Sequence, residues 1–245
     1  MAQDVEVSRR LRGRRSPLSV GQAPPAFSHA SRGRLTAYDL DRFPTQTLFD
    51  RLGRAVCKAG CLPRKELYES WELARRTRRL FRGGRVVDLC GGHGLLAHIM
   101  LLLDNSSLSA LVVDTEVPPS AQQVHEALID AWPRLAGRVT FVAAPMDSVV
   151  LGEDDVVVSC HACGALTDQV LSLATAARAR VAVLPCCHDA DTCDTGPLRG
   201  WVDAALAVDA VRALRLERQG YQVWTQVIPA AITLKNRLLI GAPRP

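Results

Sequence analysis

The stretch Val86-Val87-Asp88-Leu89-Cys90-Gly91-Gly92-His93-Gly94-Leu95-Leu96 predicts a buried strand, a glycine-rich turn and a helix in direct succession. Open α/β sheets bind ligands at the carboxyl ends of their strands, so we expect this turn to hold a ligand. Glycines suit the turn because a side chain would keep the ligand away from the backbone. Asp114, 20 residues after Gly94, ends the next apolar run and is placed to hydrogen-bond ribose hydroxyls.

On both sides of this stretch, short apolar runs alternate with helical patterns, which is typical of a parallel sheet covered on both faces. About eight residues separate the last two runs, too few for a helical crossover and enough for a hairpin. We therefore predict an α/β Rossmann-like fold, with a seven-stranded, mostly parallel sheet, helices on both faces and a terminal antiparallel hairpin strand. The predicted strands are Arg85 to Leu89, Ala110 to Asp114, Val139 to Ala143, Asp155 to Ser159, Arg180 to Leu184, Gln222 to Ile228 and Arg237 to Gly241.

The segment before the sheet divides into a tail and two helices. Residues 1–35 lack periodicity and are rich in Arg, Ser, Gly and Pro, which predicts a flexible tail. Apolar stripes in residues 36–82 predict two helices, the second from Arg64 to Arg82, and residues 83–245 form the sheet domain. The late arginines of the second helix fit either a solvated, dipole-matched face or a phosphate-contacting ridge. These arginines are Arg75, Arg76, Arg78, Arg79 and Arg82.

Composition narrows the class of protein. The chain has 245 residues, of which 48% are hydrophobic, enough for a sizeable core. Its net charge of +5 lies in residues 1–35, while the remainder carries equal numbers of acidic and basic side chains. No apolar run is long enough to span a bilayer, and no secretory signal is evident, although an Arg- and Ser-rich opening leaves a mitochondrial transit peptide as an alternative. We expect a cytoplasmic protein without membrane contact, whose eight cysteines are reduced.

Two cofactors suit the glycine-rich turn. Residues 92–97 also match the G-x-G-x-x-A fingerprint of dinucleotide-binding proteins, which keeps an NAD-dependent oxidoreductase as an alternative. The carboxylate of Asp88 would repel a pyrophosphate, whereas it would attract the cationic amino-acid end of S-adenosylmethionine. The terminal hairpin favours the same cofactor, so we predict S-adenosylmethionine.

Here the sequence resembles the class I S-adenosylmethionine-dependent methyltransferases, whose first motif is an acidic residue followed by alternating glycines. The motif consists here of Asp88, Cys90, Gly92 and Gly94, with Cys90 in place of the usual first glycine. The resemblance implies that the methionyl end of the cofactor meets Asp88 and the turn, that the ribose meets Asp114 and that residues 146–147 flank the adenine. The full set of implied cofactor residues is Asp88, Cys90, Gly91, Gly92, Gly94, Asp114, Met146, Asp147 and Cys160.

Two further motifs resemble a narrower branch of this family. They are His161-Ala162-Cys163-Gly164-Ala165-Leu166-Thr167-Asp168 and Leu184-Pro185-Cys186-Cys187-His188. The branch contains the tRNA acceptor-stem 2′-O-methyltransferases and related uncharacterised methyltransferase-like proteins, and the resemblance extends over about residues 66–239. It implies RNA modification, with RNA contacts from residues 1–35 and the late arginines. The zinc-finger modules of the tRNA enzymes are absent from the sequence, so a small-molecule acceptor is the alternative.

The same motifs bring cysteines and histidines to the ends of neighbouring strands, and three hypotheses compete for them. In the first, these residues are packed thiols and imidazoles. In the second, Cys160, Cys163 and either Cys186 or His188 bind zinc in a module without catalysis. In the third, they are catalytic groups. In the third hypothesis His161 or Asp168 orients or deprotonates an oxygen or nitrogen acceptor. The predicted catalytic set is His161, Asp168, Cys186, His188 and Lys235, and no metal is assigned.

Cys186 and Lys235 enter that set for separate reasons. Pro185-Cys186 is similar to the Pro-Cys pair of cytosine-C5 methyltransferases, in which the thiolate adds to the base. Lys235 lies between the last two predicted strands, where it could contact an acidic acceptor. Since the Asn-Pro-Pro-Tyr signature of exocyclic amine methylation is missing, oxygen acceptors are modestly favoured.

Overall fold

The central sheet has seven strands in the order β3-β2-β1-β4-β5-β7-β6. A computed structural model describes residues 27–189 and 191–245. The strands are β1 (Val86–Leu89), β2 (Ala110–Asp114), β3 (Val139–Ala143), β4 (Val156–Ser159), β5 (Arg180–Val183), β6 (Tyr221–Val227) and β7 (Arg237–Pro243). Strands β1 to β5 pair in parallel, while β7 runs antiparallel to both β5 and β6. The predicted fold class is confirmed.

In residues 27–189 and 191–245, six α-helices surround the sheet. They are α1 (Leu48–Ala59), α2 (Arg64–Leu80), α3 (Leu95–Leu103), α4 (Pro119–Ala131), α5 (Ala165–Ala176) and α6 (Ala204–Arg218). Short 3-10 turns occupy Ala37–Arg42, Pro133–Leu135, Met146–Ser148 and Gly196–Leu198. Within the part of the chain that the structure describes, none of the helices is long and apolar enough to cross a membrane.

Alternating strand residues supply two hydrophobic cores. Side chains of a strand point to opposite faces in turn, and both faces of β1 and β4 are buried. Val86 and Val156 pack with the apolar stripes of α1 to α4, whereas Val87 and Val157 pack with α5 and α6. Strands covered on both faces explain why continuous valine runs, rather than alternating patterns, marked the sheet in the sequence.

The N-terminal helices are part of one of these cores. Helix α1 packs on α4, and α2 packs on α3. The predicted tail overlaps the described residues only at 27–35, and these have defined contacts: the His29 ring stacks on Tyr68 with centroids 4.1 Å apart, and the buried Leu35 donates its N–H to the Leu62 carbonyl over 2.9 Å. The packed structure thus begins earlier than predicted, while the prediction for residues 1–26 lies outside the described residues.

The late arginines do not form a continuous cationic ridge, and α2 ends at Leu80, before the last of them, Arg82. Arg78 is only 2% exposed, and its guanidinium contacts the Asp104 carboxylate at 3.2 Å and donates to the Met100 carbonyl at 3.1 Å and Ser107 Oγ at 2.7 Å. Arg75 and Arg76 each pair with Glu72, and Arg82 donates to the Leu103 carbonyl. Both hypotheses for this cluster therefore fail at Arg78, which is an interior residue.

Candidate active site

The glycine-rich turn, residues 90–94, is fixed by hydrogen bonds to the neighbouring strand β2. Gly91 donates its N–H to the Val113 carbonyl at 3.1 Å, and Gly92 donates to Asp114 Oδ2 at 3.0 Å. Asp114 Oδ1 accepts from the Thr115 N–H at 2.8 Å. The carboxylate predicted to bind ribose thus also joins the turn to the end of β2.

Close packing explains two of the glycines in this turn. A Cβ on Gly94, which has φ +71°, would lie 2.7 Å from the Phe141 ring, and a Cβ on Gly91 would lie 2.7 Å from Val112 Cγ1. Gly92 differs, because a Cβ there would have Asp114 Oδ2 as its nearest neighbour, at 3.9 Å. The expectation that glycines keep the ligand's path open is therefore compatible with the geometry of Gly92, while Gly91 and Gly94 are required by the protein's own interior.

Cys90 has a backbone conformation that favours glycine. Its φ is +56°, in the left-handed region, where a residue with a Cβ loses about 1–2 kcal/mol. The substitution of Cys for the usual glycine is thus small in volume but strained in backbone. Burial raises the pKa of the Cys90 thiol to about 11, with further contributions from Asp114 and Asp88, so the thiol is neutral at physiological pH.

The turn forms one side of a cleft of about 380 Å³, here called the loop cleft, at the carboxyl ends of β1 and β2. Its size lies within the range of small-molecule sites. The lining residues are Glu66, Cys90, Gly92, His93, Val113, Asp114, Thr115, Ala144, Met146, His161 and Leu166. Two carboxylates, two imidazoles and several apolar side chains therefore surround one opening.

Glu66 and His93 form a short hydrogen bond across the loop cleft. Glu66 Oε2 and His93 Nε2 are 2.6 Å apart, and the Leu95 N–H donates to His93 Nδ1 at 3.2 Å. Since Nδ1 accepts, Nε2 carries the ring proton and donates it to Glu66. Burial raises the pKa of Glu66, but the hydrogen bond from His93 and the nearby basic groups, Lys65 among them, together outweigh burial, so the pKa lies below its ordinary value. Glu66 is therefore ionised at neutral pH.

His161 brings an unpartnered nitrogen to the same cleft. Its ring centroid lies 6.2 Å from that of His93, and Nε2 is buried without a hydrogen-bond partner among the described residues. Burial is the main cause that lowers the pKa of His161 below its ordinary value. The imidazole is therefore neutral at physiological pH and can accept a proton.

Comparison with known families identifies the fold's relatives. The model of a family described as a methyltransferase domain matches residues 67–190. The chain belongs to this methyltransferase family. Membership identifies residues 67–190 as a methyltransferase domain, and it implies S-adenosylmethionine as the methyl donor of that domain.

A curated relative of this methyltransferase is a glutathione S-transferase C-terminal domain-containing protein homolog from Drosophila pseudoobscura pseudoobscura, 28% identical over 200 residues. The match covers 65% of this chain and 33% of the relative, so the chain spans about a third of that protein's length. Among solved structures, an O-methyltransferase family protein from Burkholderia thailandensis is similar, with 20% identity, a TM-score of 0.49 and coverage of 84% of this chain and 62% of that one. An RNA methyltransferase, described as putative, from Pyrococcus horikoshii has 16% identity and a TM-score of 0.44, covering 75% and 86% of the two chains.

Four of the nine predicted cofactor residues line the loop cleft of the methyltransferase: Cys90, Gly92, Asp114 and Met146. The other five are Asp88, Gly91, Gly94, Asp147 and Cys160, and they lie outside the lining. Asp147 is exposed in the turn after β3, whereas Cys160 is 4% exposed in the interior, where burial raises its pKa.

Asp88 lies beneath the glycine-rich turn instead of facing the cleft. It is 1% exposed, a Cβ on Gly91 would lie 2.9 Å from its Cγ, and within the described chain its Oδ2 has no hydrogen-bond partner. Burial raises its pKa to about 8, the nearby Asp114 adds to this effect, and a hydrogen bond from the Ala97 N–H opposes it. Asp88 is thus mainly protonated at pH 7 and lacks the charge that we expected to attract a cation.

Of the predicted catalytic residues, one lines the loop cleft and the others lie outside it. His161 lines the loop cleft, whereas Asp168 is held by the Arg212 guanidinium through both carboxylate oxygens, at 3.1 and 2.7 Å. His188 Nε2 contacts Asp209 Oδ1 at 2.8 Å, away from the cleft lining. These contacts give Asp168 and His188 structural partners in place of an acceptor.

Cys186 and Lys235 also lie apart from the loop cleft. Cys186 contacts another thiol, Cys163, with the sulfur atoms 2.8 Å apart. The Lys235 side chain is exposed, and its backbone N–H donates to Thr233 Oγ1 at 3.2 Å.

Two cleft residues, Glu66 and His93, were missed from the sequence. Glu66 belonged to none of the motifs, and His93 stood inside the first motif without a role. The 27 residues that separate them are bridged by the packing of α2 on α3, which no local pattern reveals.

Proposed function

We propose that the loop cleft binds S-adenosylmethionine and that the protein transfers its methyl group to an oxygen or nitrogen acceptor. The observation that carries this proposal is the set of side chains that line the cleft: an ionised Glu66, a carboxylate at Asp114 and a neutral His161, with Met146 and Leu166 as apolar walls. The ligand presents a cationic amino-acid end, ribose hydroxyls and a flat base, which require these kinds of partner.

Each end of the ligand has a candidate partner. We assign the ammonium group to Glu66, because opposite charges attract strongly at a half-buried site. The ribose hydroxyls are assigned to Asp114, whose oxygens each accept one backbone N–H and retain acceptor capacity. Met146, buried in the turn after β3, is assigned to the adenine.

His161 is proposed as the proton acceptor. When bound, the ligand supplies an electrophilic methyl group on a sulfonium sulfur. As the acceptor forms its bond to the methyl carbon and the carbon–sulfur bond breaks, the acceptor must lose a proton, and we assign that proton to the His161 imidazole, which lines the loop cleft. Its lowered pKa keeps the imidazole uncharged before the reaction.

Calorimetric titration with S-adenosylmethionine tests the donor site. Glu66→Gln is expected to weaken binding at least about tenfold, since it removes one charged hydrogen bond of about 1.5 kcal/mol or more. Glu126→Gln is the matched control, because Glu126 is exposed on α4 and pairs with Gln122 by a hydrogen bond of 2.8 Å. Equal affinity of the Glu66 variant and the wild type would remove Glu66 from the site.

Kinetics test the proton acceptor separately. His161→Gln is expected to lower kcat by about 100-fold or more while leaving the affinity for S-adenosylmethionine within about threefold. The acid limb of the wild-type pH profile, which falls as His161 gains a proton, should be absent in the variant. An unchanged acid limb would assign the proton to another group.

We infer that the acceptor is RNA. Support comes from the resemblance to tRNA 2′-O-methyltransferases and from the concentration of the net charge of +5 in residues 1–35. The late arginines of α2 no longer contribute as a group, because Arg78 is buried and Arg75 and Arg76 are paired with Glu72. The tail is thus the principal cationic element left to attract phosphates.

Labelled S-adenosylmethionine, incubated with the protein and a fractionated cell extract, identifies the acceptor class. We expect label in the RNA fraction, and label confined to small molecules would overturn the RNA proposal. Replacing five tail arginines with Gln should weaken RNA binding and reduce its logarithmic salt slope by at most about four to five. Replacement of the same five with Lys is the control, since it keeps the charge. These residues are Arg9, Arg10, Arg12, Arg14 and Arg15.

A further inference from the structure

Three thiols meet at the carboxyl ends of β4 and β5. Cys163 belongs to the loop after β4, while Cys186 and Cys187 belong to the loop after β5. Their Sγ atoms all lie within 4.8 Å of one another, with Cys163 and Cys186 at 2.8 Å and Cys186 and Cys187 at 3.9 Å. None of the three lines the loop cleft, so the cluster is separate from the proposed donor site.

The backbone holds the two loops in register. Ser159 at the end of β4 pairs with Val183 of β5, and the Leu184 N–H donates to the Ser159 carbonyl at 3.0 Å. Beyond the strands, the Gly164 N–H donates to the Cys187 carbonyl at 3.2 Å, which joins the loops next to the thiols. The buried Arg212 donates to the Gly164 carbonyl at 2.8 Å and secures the loop from behind.

We propose that Cys163, Cys186 and Cys187 form a thiolate site for a thiophilic divalent cation, with zinc as the ion that suits it best. Three cysteine ligands from two rigidly paired loops are a set that zinc binds in tetrahedral geometry. Zinc–sulfur bonds of about 2.3 Å place the sulfur atoms about 3.8 Å apart. The Cys186–Cys187 separation of 3.9 Å already matches, and Cys163 has to move its exposed side chain by about 1 Å.

The spacing of the three sulfur atoms allows them to share one ion, because all lie within 4.8 Å of one another. A bound divalent ion would displace the thiol protons and neutralise the charge of the closely spaced thiolates.

The proposed ligand set differs from the one that the sequence suggested. Cys160 is buried in the core, and His188 Nε2 contacts Asp209. Across the described residues, neither side chain brings a ligand atom within 4.8 Å of the whole cluster. Cys187 takes their place. Three protein ligands leave the fourth tetrahedral position free, and the exposure of Cys163 opens that position to solvent.

Metal analysis of the purified full-length protein tests the site. After reduction and incubation with zinc, then removal of free metal, we expect about one zinc per chain. Cobalt in its place should give the near-ultraviolet charge-transfer bands of thiolate ligation. Substitution of Ser for Cys163, Cys186 or Cys187 should each weaken binding by more than about 100-fold. Cys61→Ser, a half-buried cysteine outside the cluster, is the control and should retain the metal.

Two results would overturn the proposal. One is the absence of stoichiometric metal in the wild type, or its retention in the Cys187→Ser variant. The other is an intact mass lower by two hydrogens after mild oxidation, with no metal bound under any condition, which would assign Cys163 and Cys186 to a disulfide. A chelator should remove the metal without changing the affinity for S-adenosylmethionine, so the outcome is independent of the donor site.

Discussion

Replacing Asp88 with Asn should remove the pH dependence of stability at this position. Burial raises the folded-state pKa of Asp88 to about 8 from an ordinary value of 3.8. Between these values the folded carboxyl keeps a proton that the unfolded chain has released. The free energy of unfolding therefore falls by about 1.4 kcal/mol for each unit of rising pH, and the total at pH 7 is on the order of 4 kcal/mol.

Asn removes this loss, because its side chain is neutral at every pH. It also places two amide hydrogens near the position where Oδ2 finds no partner in the described chain, which costs about 1–3 kcal/mol. The variant should consequently be less stable than the wild type near pH 4 and more stable at pH 8.

Urea unfolding of both proteins at pH 4, 5, 6, 7 and 8 measures the difference directly, since contributions from other titrating groups cancel. We expect the difference to change by about 1.4 kcal/mol per pH unit. A constant difference would show that Asp88 is ionised in the folded protein. Calorimetry with S-adenosylmethionine adds an independent check, because a buried, neutral Asp88 outside the cleft predicts affinity within about threefold of the wild type.

Three pairs of substitutions probe the turn and helix α2 by urea unfolding. Gly94→Ala should lower the free energy of unfolding by about 3 kcal/mol, because φ is left-handed and the new Cβ meets the Phe141 ring. Gly137→Ala has nearly the same φ, +72°, but nothing within 4 Å, so it should cost only about 1–2 kcal/mol. Equal losses would contradict the packing argument. The Cys90→Gly variant should be more stable than Cys90→Ala by about 1 kcal/mol, because residue 90 has a φ of +56°, which glycine adopts without strain. The reverse order would show that the backbone at residue 90 is not strained. Arg78→Met should cost about 3–5 kcal/mol by leaving Asp104 without its buried partner, while Arg79→Met on the exposed face should change stability by less than about 0.5 kcal/mol.

The sheet could be predicted from the sequence because its strands are buried on both faces. A run such as Val156-Val157-Val158 has no polar alternation to confuse it with an exposed strand, and the hairpin follows from the short separation of β6 and β7. The loop cleft lies at the end of β1, where the sequence predicts a ligand site, because parallel strands bring their carboxyl ends to one edge.

Side-chain direction limited the prediction of the site. Asp88 lies two residues after Val86, so the pleat points both toward the face that α3 covers, and the acid is buried beneath the turn. Arg78 follows Ala74 by four residues, on the stripe that begins at Leu67, so its helical position already indicated the interior. Glu66 could not be predicted as a cleft residue, because its place there depends on the tertiary packing of α2, which no local sequence pattern encodes.

The position of Glu66 has a consequence for how this domain can be divided. The family match begins at residue 67, so the helix turn that contributes a carboxylate to the cleft lies at the very margin of the recognisable domain. An excised segment 83–245 would carry the sheet and the glycine-rich turn but would leave one acidic wall behind. The N-terminal helices therefore contribute one acidic group to the pocket, and exchanging them between relatives offers a way to change its charge while the sheet stays constant.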